Sequence, residues 1–309
     1  MAVRQGLKSA MLPVALIGGA VFYKWMGHLT FLSPYLIFAM LFITYCKLEL
    51  REFRLGAFQF VLLGVQMLLA TAVYFGLLPL GHTVAEGIFI CVFIPTATAA
   101  PVITAMLGGS ISKVATYSLA CNVVVSLTAP VILAAIGDHS EYTFAQSLGM
   151  IASKVLPLLL APIVCAVVVT RFFPRAHAVL VRNQALSFYL WAVALFIIVG
   201  SCVSFVIQNW NPAESLDMIL LTLGALAVCL LQFKVGRIVG RRFGDTVSGG
   251  QSLGQKNTVL AVWLALAYMN PVASVAPAAY IAWQNIINSW QLISHSRSKH
   301  GADYSSQSE

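Results

Sequence analysis

Apolar residues in this chain gather into runs of about 17–25, separated by short polar connections, from near residue 10 almost to residue 295. A helix rises 1.5 Å per residue, so runs of this length match the roughly 30 Å of hydrocarbon in a bilayer. The pattern predicts ten transmembrane helices near 10–27, 30–46, 57–79, 84–107, 112–136, 148–171, 185–208, 216–234, 246–269 and 272–294. Read this way, the first run is a membrane span rather than a cleaved signal segment, because the next begins almost at once. The last residues, 296–309, are polar and Ser-rich and read as a disordered cytoplasmic tail.

Two of the runs are interrupted. The fourth contains Pro95-Thr96-Ala97-Thr98-Ala99-Ala100-Pro101, in which two prolines remove backbone donors and break the helical ladder. Freed backbone groups at membrane depth require protein, water or ligand as partners, so the stretch should face the interior. The ninth run opens with Gly249-Gly250-Gln251-Ser252-Leu253-Gly254-Gln255-Lys256-Asn257-Thr258, which reads as a second interruption. Divided as 1–137 and 138–295, the chain is two five-helix halves with a broken helix fourth in each. An odd number of spans makes the halves antiparallel. Matching interruptions in inverted halves point to a binding site near the membrane centre.

Composition agrees with a membrane domain: 60% of residues are hydrophobic and 9% are charged, against about 25% charged in soluble proteins. The net charge of +8 arises from Lys and Arg placed between the apolar runs, not from one solvated basic face, which argues against nucleic-acid binding. Fifteen of the 18 Lys and Arg residues fall in connections on one side, from Arg4 and Lys8 through Arg171, Arg175 and Arg182 to Arg297 and Lys299. By the positive-inside rule both termini are expected in the cytoplasm, with the protein in an inner or plasma membrane. Of the other three, Lys24 flanks the opposite side, while Lys154 and Lys256 lie inside predicted spans. The six cysteines read as packing residues, and the histidines show no metal-ligand spacing. No nucleophile with a base partner is evident within the spans, so no enzymatic activity is expected, and no cofactor is implied.

Around the interruptions the residues resemble the bile acid:sodium symporter family. The likeness rests on Pro95 to Thr104, the Leu107-Gly108-Gly109 turn, Ser126-Leu127-Thr128-Ala129-Pro130, Gly254 with Asn257, and Trp283 with Asn285. It implies a core of spans three to five and eight to ten that rocks against a panel of spans one, two, six and seven. A small organic anion, a carboxylate or sulfonate, would bind where the broken helices cross. Gln66, Ser118 and Asn257 match family positions. Ser252 and Lys256 stand where sodium-coupled members carry an acidic residue and Gln, and the fourth-span Asn aligns with Pro101. These departures count against sodium coupling without removing it, and an ion gradient, a proton gradient or the solute's own gradient is expected as the driver.

The candidate substrate or ion-binding residues are therefore Lys256, Asn257, Gln255, Ser252, Thr98, Thr96, Ser118, Asn122, Gln66 and Asn285. Gln284, Asn285 and Asn288 should form one inward face of the tenth span. Lys256 is expected to be a built-in cation of the substrate site, attracting the anion or releasing a proton. Glu86 is expected in a solvated helix start, and Lys154 snorkelling to the interface. A channel or membrane sensor with the same architecture is the competing reading.

Overall fold

A computed structural model of the chain describes residues 14–15, 17–46, 54–97, 99–137, 143–183, 185–208 and 212–306. Thr98, the Ser140 connection and the N-terminal cations lie outside them. All regular structure among the described residues is helical. The helices are α1 Tyr23–Leu29, α2 Ser33–Cys46, α3 Ala57–Leu77, α4 His82–Phe93, α5 Ala100–Met106, α6 Ile111–Ile136 and α7 Phe144–Phe172. There follow α8 Pro174–Arg182, α9 Ala185–Gln208, α10 Ser215–Arg242, α11 Thr246–Gly254, α12 Thr258–Tyr268 and α13 Val275–Ser306.

Five stretches are long and apolar enough to cross a bilayer: Tyr23–Cys46, Ala57–Leu80, Ile111–Ile136, Phe144–Phe172 and Ser215–Arg242. Three shorter apolar helices accompany them, including α4 and α12. The protein is an all-α integral membrane protein. Its outer faces carry the apolar side chains that lipid requires: Phe60, Leu68 and Phe75 on α3, Val164 on α7, Leu223 and Leu230 on α10 are all exposed.

Packing divides the helices into two groups. α1 lies on α9, and α2 lies between α7 and α9. The other group joins α3 to α4, α4 and α13 to α10, and α10 to α11. α6 bridges the groups, touching α7 on one side and α3, α5 and α11 on the other.

The expected break in the ninth span is shorter than its glycines suggest. Gly249, Gly250 and Gly254 are helical, and only Gln255, Lys256 and Asn257 separate α11 from α12. The glycines instead admit α10 at backbone contact. A Cβ on Gly249 would meet the Gly236 carbonyl oxygen at 2.2 Å, and one on Gly236 would meet the Gly249 oxygen at 2.3 Å. Small residues facing small residues are the usual means of close helix approach in lipid. The two fourth-span prolines also differ in role: Pro95 lies in the break, whereas Pro101 sits in the first turn of α5, where no intrahelical donor is needed.

Two boundaries move outward. α10 continues about two turns beyond the expected span end at 234, carrying Arg237, Arg241 and Arg242. α13 runs to Ser306 through most of the segment read as a tail. In both cases a formed helix propagates into polar residues at little cost once nucleated.

The α5–α6 and α10–α11 turns are tied together. Asp245 accepts the Ser248 N–H at 2.9 Å and its hydroxyl at 2.6 Å, and the Ser110 N–H at 3.2 Å, with Lys113 Nζ at 3.7 Å. Burial raises the Asp245 carboxyl, but these Ser248, Ser110 and Lys113 contacts outweigh it and hold the group below the usual carboxylate range. Its folded pKa is depressed, so its stabilisation is complete above the unfolded value, about 4, and is lost as pH falls through the lower folded value. Asp245→Ala should therefore lower stability by about 0.5–2 kcal/mol at pH 7, the usual worth of a helix cap. Thermal melts in detergent should show the gap between wild type and variant closing below about pH 4; a gap that persists unchanged at pH 3 would contradict this assignment.

Candidate functional site

The two interrupted helices meet at their breaks. Thr96 and Lys256 form an antiparallel bridge, with Ala97 N–H donating to the Gln255 carbonyl at 3.0 Å and Asn257 N–H to the Pro95 carbonyl at 2.9 Å. Each break thus supplies partners for backbone groups that the other leaves unpaired. At 12 and 11 residues, α4 and α12 reach about 18 and 16 Å, roughly half a bilayer each.

An α-helix leaves its last carbonyls without intrahelical donors, and here side chains supply them. At the end of α4, Gln232 Nε2 donates to the Cys91 carbonyl at 3.3 Å and Gln66 Nε2 to Phe93 at 2.7 Å and Ile94 at 3.2 Å. The Lys256 ammonium donates to Val92 at 2.8 Å and Ile94 at 3.1 Å. At the end of α11, the Thr96 hydroxyl donates to the Ser252 carbonyl at 2.7 Å and Tyr280 to Gly254 at 2.9 Å.

Lys256 is 1% exposed. Among the described residues no carboxylate lies within ion-pair distance of it. Its ammonium is directed at the carbonyl end of α4. The helix dipole provides the reason, since a helix C-terminus carries about half a negative charge. Its backbone is also fixed, with the N–H on Gln284 Oε1 at 2.9 Å.

Gln66 is fully buried on α3 and accepts from the Tyr117 hydroxyl in a short bond and from Cys121 Sγ at 3.4 Å. On α10, Gln232 instead acts as donor, its Nε2 reaching the Tyr280 hydroxyl of α13 at 2.9 Å. Gln232, Tyr117 and Tyr280 were not singled out by sequence. A lone Gln in an apolar run was the available signal for Gln232, as it was for Gln66.

Thr96, Ser118, Asn122, Ser252, Gln255 and Asn257 are buried at or beside the crossing. Ser118 Oγ donates to the Thr96 carbonyl at 3.4 Å, and Asn122 Nδ2 to the Ser118 carbonyl at 2.7 Å. Asn257 Oδ1 caps α12 through Leu260 N–H at 3.3 Å. Several polar atoms here have no protein partner: Asn122 Oδ1, Ser252 Oγ, Asn257 Nδ2, and both amide atoms of Asn288. Buried groups of this kind are ordinarily met by water or ligand.

The polar face of α13 differs from the expected one. Gln284, Asn288 and Gln291 are buried; Gln291 Oε1 accepts from Gln251 Nε2 at 2.8 Å, and Gln251 Oε1 accepts from Gln255 Nε2 at 2.9 Å. Asn285 is half-buried and donates to the Ile281 carbonyl of its own helix at 2.7 Å. Spacings of four and three place Gln284, Asn288 and Gln291 on one stripe, while position 285 turns away by about 100°.

Glu86 departs from the expected solvated position. It is fully buried, with Oε1 3.5 Å from His82 Nδ1 and Oε2 accepting the Asn270 N–H at 3.3 Å. The turn after α12 folds over the start of α4 and covers it. Lys154 is exposed on α7.

The chain matches no known protein-family pattern, and no curated protein matches it.

Proposed function

We propose that this protein is a secondary transporter of a small organic anion, built on the plan of the bile acid:sodium symporters. In this reading the chain crosses the membrane ten times as two inverted five-helix halves, with both termini cytoplasmic. The group formed by α1, α2, α7 and α9 is the panel. The group containing the crossing of α4–α5 and α11–α12 is the core, and the anion binds between them. The observation that carries the reading is the crossing itself: two mid-membrane breaks paired through Thr96 and Lys256, beside a buried ammonium and orphaned amide and hydroxyl atoms.

Anion selectivity follows from the charge balance. Lys256 lies at the crossing, and the buried carboxylate of Glu86 sits one turn into α4, about 10 Å along the helix from its C-terminus. The driving force is an ion gradient, a proton gradient or the solute's own gradient.

A panel of carboxylates and sulfonates, screened by thermal shift on purified protein, should identify a stabilising ligand. Proteoliposomes should then take that anion up saturably, and faster when preloaded with unlabelled anion, because a site between moving halves faces one side at a time. Linear uptake without stimulation from the opposite side would instead favour a channel.

A further inference from the structure

The C-terminal end of α4 is a cradle of carbonyl oxygens, and its only charged occupant among the described residues is Lys256. Four consecutive carbonyls, Cys91 to Ile94, end the helix. Gln232 meets the first and Gln66 the third, leaving Val92 and half of Ile94 to the ammonium at 2.8 and 3.1 Å. Neutral amides on either side and no carboxylate in ion-pair range make this an oxygen site of partial negative charge, suited to one monovalent cation rather than a divalent one. The ammonium arrives from the opposite broken helix. It therefore also ties the two breaks together, alongside the backbone bridge of Thr96 and Lys256.

We infer that Lys256 is the resident cation of a monovalent-cation site at the end of α4, and that shortening its side chain opens this site to free ammonium or methylammonium. A free alkali ion is then unnecessary to the wild-type crossing. Ammonium and methylammonium are the preferred substitutes because they keep the N–H donors that Val92 and Ile94 accept; K⁺ offers similar size without them. The inference deepens the carrier reading by removing a coupling alkali ion from it, and to that extent rests on it. The cation site itself stands on the carbonyl geometry alone.

The test uses thermal unfolding of the purified full chain in detergent, with choline chloride replaced at constant ionic strength by ammonium, methylammonium, potassium or sodium chloride. Wild type should melt at the same temperature in all of them. Lys256→Ala should show a saturable rise of about 2–8 °C with ammonium or methylammonium. Lys256→Met, whose thioether stem fills the space left by the shorter variant, should show none. Recovery of Lys256→Ala only when ammonium or methylammonium is present during purification would equally support the site. A sodium-dependent wild-type melt, a Lys256→Ala melt unchanged across salts, an equal response in Lys256→Met, or loss of Lys256→Ala in every salt overturns the inference. Failure of anion uptake would remove the carrier reading and leave these cation results standing.

Discussion

Lys256→Gln is expected to lower anion uptake by about 100-fold, while Lys154→Gln leaves it unchanged. Removing the ammonium deletes two charge-assisted hydrogen bonds to Val92 and Ile94, each worth about 1.5–3 kcal/mol, and a carboxamide restores only part of that. It also removes the cation that favours an anion beside the crossing. Lys154 is exposed on α7 and offers its charge to the interface instead. Initial uptake rates in proteoliposomes, with binding followed by thermal shift, separate the two variants. Wild-type uptake and wild-type pH dependence in Lys256→Gln would remove Lys256 from the transport mechanism.

Gln66→Leu should be the most destabilising single change on α3, by about 3–5 kcal/mol. Leucine fits the volume but leaves the Phe93 carbonyl and the Tyr117 hydroxyl buried without their partner, and each orphaned group costs about 1–3 kcal/mol. The melting temperature should fall by about 6–15 °C. Tyr117→Phe alone should cost less, because Gln66 keeps its two carbonyls. In the Gln66→Leu background Tyr117→Phe should cost nothing further or even stabilise, since it removes an orphaned hydroxyl. Additive losses in this cycle would mean that the short Tyr117–Gln66 bond contributes little.

Several features of the site were legible because they are local. Pro95 cannot donate to a helix wherever it sits, so a break beside it followed from the residue itself. Gln66, Lys256 and Asn257 stood out because a polar group in an apolar run must find a partner inside. Glycine is ambiguous in the same local sense. Gly249 and Gly250 could end a helix or admit a neighbour, and the choice was made by Gly236 and Gly240, which lie on another helix. Glu86 was misread for a related reason: the residues that cover it, Asn270 and those after it, are nearly 200 positions away.

The sequence by itself determined that this chain belongs in a membrane, where its apolar runs lie, and that two of them are interrupted. Those properties depend on hydrophobicity and backbone chemistry, which each segment carries wherever it is placed. Tertiary structure decided which groups meet: that the two breaks pair through Thr96 and Lys256, that an ammonium rather than an ion-pair partner closes the end of α4, and that Gln66 reaches Tyr117 and Gln232 reaches Tyr280. The physical reason is that a buried polar group requires a partner but does not specify one. Many donors in the chain could satisfy the carbonyls of α4, and only the packing of α3, α10 and α11 around it selects those that do.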